Sequence, residues 1–398
     1  MPTKFKDIDT QLRSAVSAPA ARVFFPNLNG LRFLAVLLVV VDHVEGIRSA
    51  YKLSNYWAVP AIPLLGQLGV DLFFVLSGFL ITYLLLAEKQ KLGTIDFRAF
   101  YLRRILRIWP LYYVVVILAL FVLPHIDLLY FPDLTAQVAP GLGTKALLYA
   151  IMLPNAAKEL YPAVPFVSQA WSIGVEEQFY LIWPVVVYYS RSYYRNFLLL
   201  AGVVFVAMQL SWALTTPWRH VLPINELTDF IKHFLTFFRI QCMAIGGVFA
   251  VLLFQHRSRL LGWLTSRPAQ VLIWLVLPVL IVRGQEVPYF THELYAVLFG
   301  ILVLNLAITQ SSLVNLRTPT LDYLGRISYG LYMFHPLAIT LAIRAVGALG
   351  NLSSPVNHAG VYVATLAISI ALAAASYHWL ENPFLTLKKR FARIQSGS

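Results

Sequence analysis

Charged residues are scarce in this chain. Asp, Glu, Lys and Arg make up 12% of its 398 residues, and 59% are hydrophobic. An ordinary soluble domain carries about twice that charge. The imbalance excludes a soluble fold, because a core of this size cannot hide so much apolar surface; lipid must act as the solvent. Cysteine is limited to Cys242, which excludes an internal disulfide and any multi-cysteine metal site. Cys242 sits in an apolar run and reads as an inert buried thiol. Also missing are an H-E-x-x-H helix and a phosphate-binding loop, a G-x-S-x-G nucleophile elbow, and the H-x4-D box of aqueous acyl transfer. No metal and no permanently bound cofactor are expected. Residues 1–30 are polar, and no small-residue cleavage site follows the first apolar run, so no cleavable signal peptide is expected.

What is abundant is apolar sequence in long runs. Ten spans are predicted, at about 31–48, 69–87, 108–124, 171–190, 197–214, 235–254, 270–283, 294–309, 329–348 and 360–380. The expected fold is an all-α polytopic membrane protein: a tail over 1–30, a ten-helix domain over 31–384 and a basic tail over 385–398. The loop from His125 to Ala170 is the longest and is expected to fold over the outer mouth. The net charge is +13, yet the basic residues are scattered through short loops, which is membrane topology and not a nucleic-acid surface. With the first tail inside, 21 of the 31 Lys and Arg fall in inner segments, 7 in outer loops and three within spans. That bias predicts both termini in the cytoplasm and an even number of spans.

A charge inside a span costs roughly 3 kcal/mol or more, so each needs a reason. The first span holds Arg32, Asp42 and His43. Arg32 and His43 are 11 residues apart, which puts them on one helix face about 16 Å apart along the axis. His43 is a candidate general base, since imidazole titrates near neutral pH. Asp42 points about 100° away and could tune the field at His43 without orienting its ring. The competing reading is an interfacial histidine with no chemistry. Ser77-Gly78 in the second span suggests close helix packing, and Asp71 would line the outer mouth or face water. Arg104 and Arg107 are i, i+3 neighbours and could grip an anion as planar forks, or could merely anchor the inner face. In the fourth span Glu176, Tyr180 and Ser172 share a face that could hold hydroxyl groups of a polar acceptor; the alternative is an exposed helix start. Ser328, Tyr332 and His335 form another polar stripe, with Pro336 expected to kink the helix.

Taken in order, these blocks resemble the acyltransferase-3 family of membrane-embedded acyltransferases. The resemblance rests on Asn29-Gly30-Leu31-Arg32 to Asp42-His43, Gly69 to Phe79, Arg103-Arg104-Ile105-Leu106-Arg107, Trp171 to Glu176, Gly325 to Pro336 and Glu381-Asn382-Pro383-Phe384. It implies a ten-helix enzyme of the bacterial inner membrane. Such an enzyme moves an acyl group, often acetyl, from cytoplasmic acyl-CoA to a hydroxyl of an extracytoplasmic carbohydrate or glycoconjugate. Arg103, Arg104 and Arg107 would then hold the phosphates of acyl-CoA, with Arg32 or Ser328 near the thioester oxygen. His43 would act as general base or as a transient acyl carrier. Many members of the family carry a C-terminal soluble domain, and this chain stops at Ser398. The expected partners are lipid, acyl-CoA and a glycan, and oligomeric state is left open. A transporter or flippase of a polar lipid or glycan would use the same intramembrane polar set, although no inverted halves are visible. A non-catalytic scaffold would leave the polar stripes unexplained.

Overall fold

The structure, a computed structural model, describes residues 22–131, 138–215, 226–255, 258–308 and 312–396. The polar tail through residue 21 lies outside the described residues. The described chain is helical, apart from a two-residue parallel pairing of β1 (Arg22–Val23) with β2 (Gln395–Ser396). In order, the helices are α1 (Pro26–Ala50), α2 (Ala61–Leu92), α3 (Phe97–Ile117), α4 (Leu142–Ala150), α5 (Pro154–Leu160), α6 (Trp171–Tyr189), α7 (Tyr193–Thr215) and α8 (Glu226–Phe237). They continue with α9 (Ile240–Phe254), α10 (Ser258–Leu264), α11 (Arg267–Val282), α12 (Thr291–Ala307), α13 (Pro319–Arg326), α14 (Ser328–Gly347), α15 (Pro355–Ser376) and α16 (Asn382–Lys388). Each apolar run read from the sequence falls on a helix. Among the described residues, six stretches are long and apolar enough to cross a membrane: Ala61–Leu92, Phe97–His125, Tyr193–Ser211, Phe234–Phe254, Ser328–Gly347 and Pro355–Phe391. Helices α11 and α12 are shorter and apolar. The remaining two, α1 and α6, carry half of the candidate site residues, and α3 and α14 carry the other half.

Local chemistry sets the helix boundaries. Gly93 ends α2 in the left-handed region at φ 72°, where a side chain would be strained. Asp96 then caps α3 by accepting from Ala99 N at 2.9 Å, supplying a partner to an otherwise orphaned amide. Ser354 caps α15 in the same way, accepting from Asn357 N at 3.2 Å. Proline opens α1, α5, α13 and α15, where its missing N–H costs nothing.

Helix α2 is the centre of the bundle, packed between α1 and α9. The α2–α9 crossing depends on two glycines. A Cβ on Gly78 would lie 1.9 Å from the carbonyl oxygen of Met243, and one on Gly246 would lie 2.2 Å from that of Val75. The two backbones are therefore in direct contact, as small residues permit in membrane bundles. The long segment after α3 packs onto the bundle: Tyr112 and Tyr113 donate to the carbonyls of Tyr149 and Ala150 at 2.9 and 2.8 Å, and Gln169 Nε2 donates to Met333 O at 2.8 Å.

Gly246→Val should force α2 and α9 apart and lower stability by about 3 kcal/mol or more, read as a fall in melting temperature in detergent. Gly202→Ala, where an added Cβ meets nothing within 4 Å, should leave melting unchanged. Equal behaviour of the two variants would refute direct backbone contact.

Candidate active site

Two histidines from distant parts of the chain meet between α1 and α14. His335 is fully buried, and its Nδ1 lies 2.7 Å from the carbonyl oxygen of Tyr332. A carbonyl only accepts, so Nδ1 carries the proton and Nε2 is left as an acceptor. His43 Nδ1 lies 2.5 Å from that Nε2, so His43 must donate through Nδ1. Its own Nε2 then keeps a free lone pair. The His43 side chain is 31% exposed, whereas His335 is fully buried. Asp42 Oδ2 is 3.8 Å from His43 Nε2, too far for a hydrogen bond. The ring of His43 is thus oriented by His335 and a backbone carbonyl.

Below the dyad lies a belt of hydroxyls and carboxylates. Tyr332 donates to Gln169 O at 2.9 Å, so its oxygen accepts from Ser172 Oγ at 2.7 Å. Ser77 Oγ donates to Glu176 Oε1 at 2.8 Å, and Tyr180 donates to Glu176 Oε2 at 3.1 Å. Ser77, Ser172, Glu176, Tyr180, Ser328 and Tyr332 line one cavity, together with Val70, Phe73 and Phe74. Arg32, Arg104 and Arg107 also line it, and the same three arginines line a second cavity with Asn29 and Lys388. The arginines therefore stand at a junction between a cationic chamber and a hydroxyl-lined one. Arg32 is held by Asn29 Oδ1 at 3.1 Å.

Two residues go elsewhere than the sequence suggests. Arg103 is turned away from both cavities; it pairs with Glu88 at 3.1 Å and donates to Phe391 O at 2.8 Å. Neighbours in a helix differ by about 100°, so Arg103 and Arg104 cannot serve one pocket. Asp71 does not line a mouth or face water: it is 0% exposed, paired with Arg239 at 3.2 Å and His292 at 2.7 Å. Among the described residues, no group of three or more His, Cys, Asp or Glu could hold a metal.

The sequence model of the acyltransferase-3 family, an acyltransferase domain, matches residues 25–374. That stretch contains both histidines, the hydroxyl belt and the three arginines. The chain belongs to the acyltransferase-3 family. The peptidoglycan O-acetyltransferase OatA of Listeria monocytogenes serovar 1/2a is 25% identical to it over 392 residues, covering 91% of this chain and 56% of the relative. The O-acetyltransferase OatA of Staphylococcus aureus strain NCTC 8325 is 26% identical over 375 residues, covering 90% of this chain and 57% of the relative. The chain thus spans little more than half the length of these curated relatives. No solved structure matches it.

In this acyltransferase-3 member three residues had no functional signal in the sequence, Lys388 among them lying beyond the matched stretch. Ser77 read as a packing residue, and its hydroxyl proves to join the Glu176–Tyr180 pair. Lys388 read as part of a basic tail. Lys158, on α5 in the long loop, places its ammonium 4.0 Å from the Phe237 ring centroid and 5.0 Å from that of Trp171. It also lies within electrostatic range of Asp42 and His43.

Burial holds the Lys158 ammonium down to about 8, with Arg239 adding to the effect and Glu159 and Asp42 opposing it. A lysine depressed in the fold binds fewer protons than its unfolded counterpart between pH 8 and about 10.5, so the cost of burying it is full below pH 8 and relieved as pH rises. Lys158→Met should therefore melt higher than the parent at pH 7, with the advantage shrinking toward pH 10. An advantage constant across that range would place the ammonium in water.

Proposed function

We propose that this chain is a ten-span membrane O-acyltransferase of the bacterial inner membrane with both termini in the cytoplasm. It takes an acyl group, most simply acetyl, from cytoplasmic acyl-CoA and delivers it to a hydroxyl of an extracytoplasmic glycan. The observation that carries this reading is the free Nε2 lone pair of His43, made available by a His335–Tyr332 chain whose Tyr332 lines the hydroxyl cavity that Arg32, Arg104 and Arg107 join to the cationic one. The positive bias of the inner loops supports the orientation. The β1–β2 pairing supports an even span count, since it brings the flanks of the first and last spans together. The names of the two OatA relatives, one of them a peptidoglycan O-acetyltransferase, support acetyl as the group and a cell-wall glycan as the acceptor class.

In the proposed reaction, Arg104 and Arg107 hold the donor phosphates, and the pantetheine arm passes Arg32 into the hydroxyl-lined cavity. His43 Nε2 takes the proton of the acceptor hydroxyl. The acceptor oxygen then bonds to the thioester carbon, the C–S bond breaks, and the departing sulfur takes the proton from His43. His335 stays neutral throughout and stabilises the transient imidazolium by accepting from His43 Nδ1, the role an orienting group plays beside a general base. Arg32 or Ser328 offers donors to the developing oxyanion, and Glu176, Tyr180 and Ser172 position the acceptor. The same Nε2 could instead take the acyl group itself before passing it on; hydroxylamine trapping of an acyl-protein separates the two routes.

Purified protein in lipid nanodiscs, given acetyl-CoA and a glycan acceptor, should release CoA thiol. His43→Ala should lower that rate by about 10²–10⁴-fold, the usual worth of a positioned base, in protein that still folds. Retained turnover in the variant would remove His43 from the chemistry. Substrate movement without thiol release would point to a transporter.

A positioning role for His335 makes a separate prediction. His335→Gln keeps an acceptor for His43 Nδ1 and should retain far more activity than His335→Leu, and the leucine variant should show a displaced pH–rate profile. Equal losses with an unchanged profile would mean that His335 serves packing alone.

A further inference from the structure

The cationic chamber has an arrangement that packing does not explain. Arg32, Arg104, Arg107 and Lys388 all line it, and no carboxylate does. Among the described residues, the Arg107 and Lys388 side chains make no hydrogen bond, and the buried Arg104 Nε has no partner. Arg104 rests only on the ring faces of Phe100 and Tyr180, at 5.7 and 5.6 Å. Nearby cations are treated differently. Arg103 pairs with Glu88, Arg393 with Asp96 at 2.7 Å, and Lys89 donates to the carbonyls of Val187 and Tyr188. The fold satisfies those cations and leaves the chamber's donors open. Two guanidinium groups and an ammonium offer about a dozen N–H donors, and like charges gathered in a poorly solvated chamber repel unless an anion joins them.

The chain is built to bring Lys388 to this place. After α15 the helix passes through a π turn over Tyr377–Glu381 and enters α16 with Pro383 in its first turn. A π turn re-aims the helix that follows it. The Phe391 carbonyl just beyond α16 accepts from Arg103, and β2 pairs with β1. Lys388 is thereby held within electrostatic range of Arg107, Arg104 and Arg32. Its place differs from theirs in one respect: the three arginines line both cavities, whereas Lys388 lines only the chamber farther from the hydroxyl belt.

We propose that Lys388 recognises the phosphate-bearing nucleotide end of the thioester donor, and that it sets the preference for a nucleotide-carried acyl group over a phosphate-free thioester. The inference rests on the acyl-CoA reading above and adds a residue that this reading did not contain. Arg104 and Arg107 stand at the junction and meet the donor where the chamber narrows. Lys388 meets the end most remote from the thioester, so it contributes to donor binding and not to the chemical step. Arg103, expected among the phosphate ligands, acts on the same site indirectly by anchoring the segment that presents Lys388.

The test compares parent, Lys388→Met and Lys388→Arg in nanodiscs of zwitterionic lipid, with acetyl-CoA and acetyl-pantetheine as donors. The methionine variant should raise KM for acetyl-CoA about tenfold or more, the usual scale of a lost charge-assisted hydrogen bond. Its kcat should be unchanged, its KM for acetyl-pantetheine should not move, and arginine should restore most of the loss. Equal effects on both donors, or none on either, would overturn the proposal. Direct binding of adenosine 3′,5′-bisphosphate, which has the phosphates and no thioester, separates this inference from the reading beneath it. Weaker binding to Lys388→Met supports the phosphate site even if no acyl transfer is seen. Unchanged binding removes Lys388 from the site even if transfer persists.

Discussion

A polar group inside a helix bundle must find its partner in protein, because lipid offers none and each failure costs several kcal/mol. That constraint sets two groups of polar residues in this chain apart. Asp71, Arg239 and His292 close on one another. Glu45 accepts from Tyr56 N at 2.6 Å, from Tyr362 at 2.6 Å and from His358 at 2.8 Å. Arg48 is fully buried and donates to the carbonyls of Ser54 and Leu352 at 2.9 Å. These groups find partners within the protein and read as architecture, although Arg48 Nη1 and Arg239 Nε keep no hydrogen bond of their own. The second set has functional groups that make no hydrogen bond and stand at or near the site: His43 Nε2, Arg104 Nε, and the Arg107 and Lys388 side chains. All of it borders the two joined cavities or the histidine dyad.

The same constraint explains why the dyad has a defined protonation pattern. A histidine in water exchanges tautomers freely. His335 cannot, because the Tyr332 carbonyl accepts and never donates. One backbone oxygen thus decides which nitrogen of His335 is protonated, and through it which nitrogen of His43 is free. Tyr332 lies one helical turn before Pro336, which lacks the amide N–H that would otherwise bond this carbonyl within the helix.

The site could be read from sequence as far as helical periodicity carries. Arg32 and His43 share a face because 11 residues close three turns, and Ser172, Glu176 and Tyr180 share one for the same reason; all but His43 line the hydroxyl cavity. Periodicity also separates Arg104 and Arg107, which turn to the cavities, from Arg103, which does not, although their charges look alike in the sequence. Pairings across the chain are another matter. His43 and His335 are separated by 292 positions, and Ser77 and Glu176 by 99. No local pattern signals either.

The sequence by itself determined the solvent, the run of helices and the family, because long apolar runs can be stable only in lipid and because a motif keeps its spacing within one helix. Tertiary structure alone decided which polar groups are spent on one another and which remain open. Hydrogen bonds between helices depend on distances and angles in space, which the order of residues along the chain does not encode. Asp71 shows the difference. As one carboxylate at the start of an apolar run it could have faced water; with Arg239 and His292 brought against it, it became part of the frame.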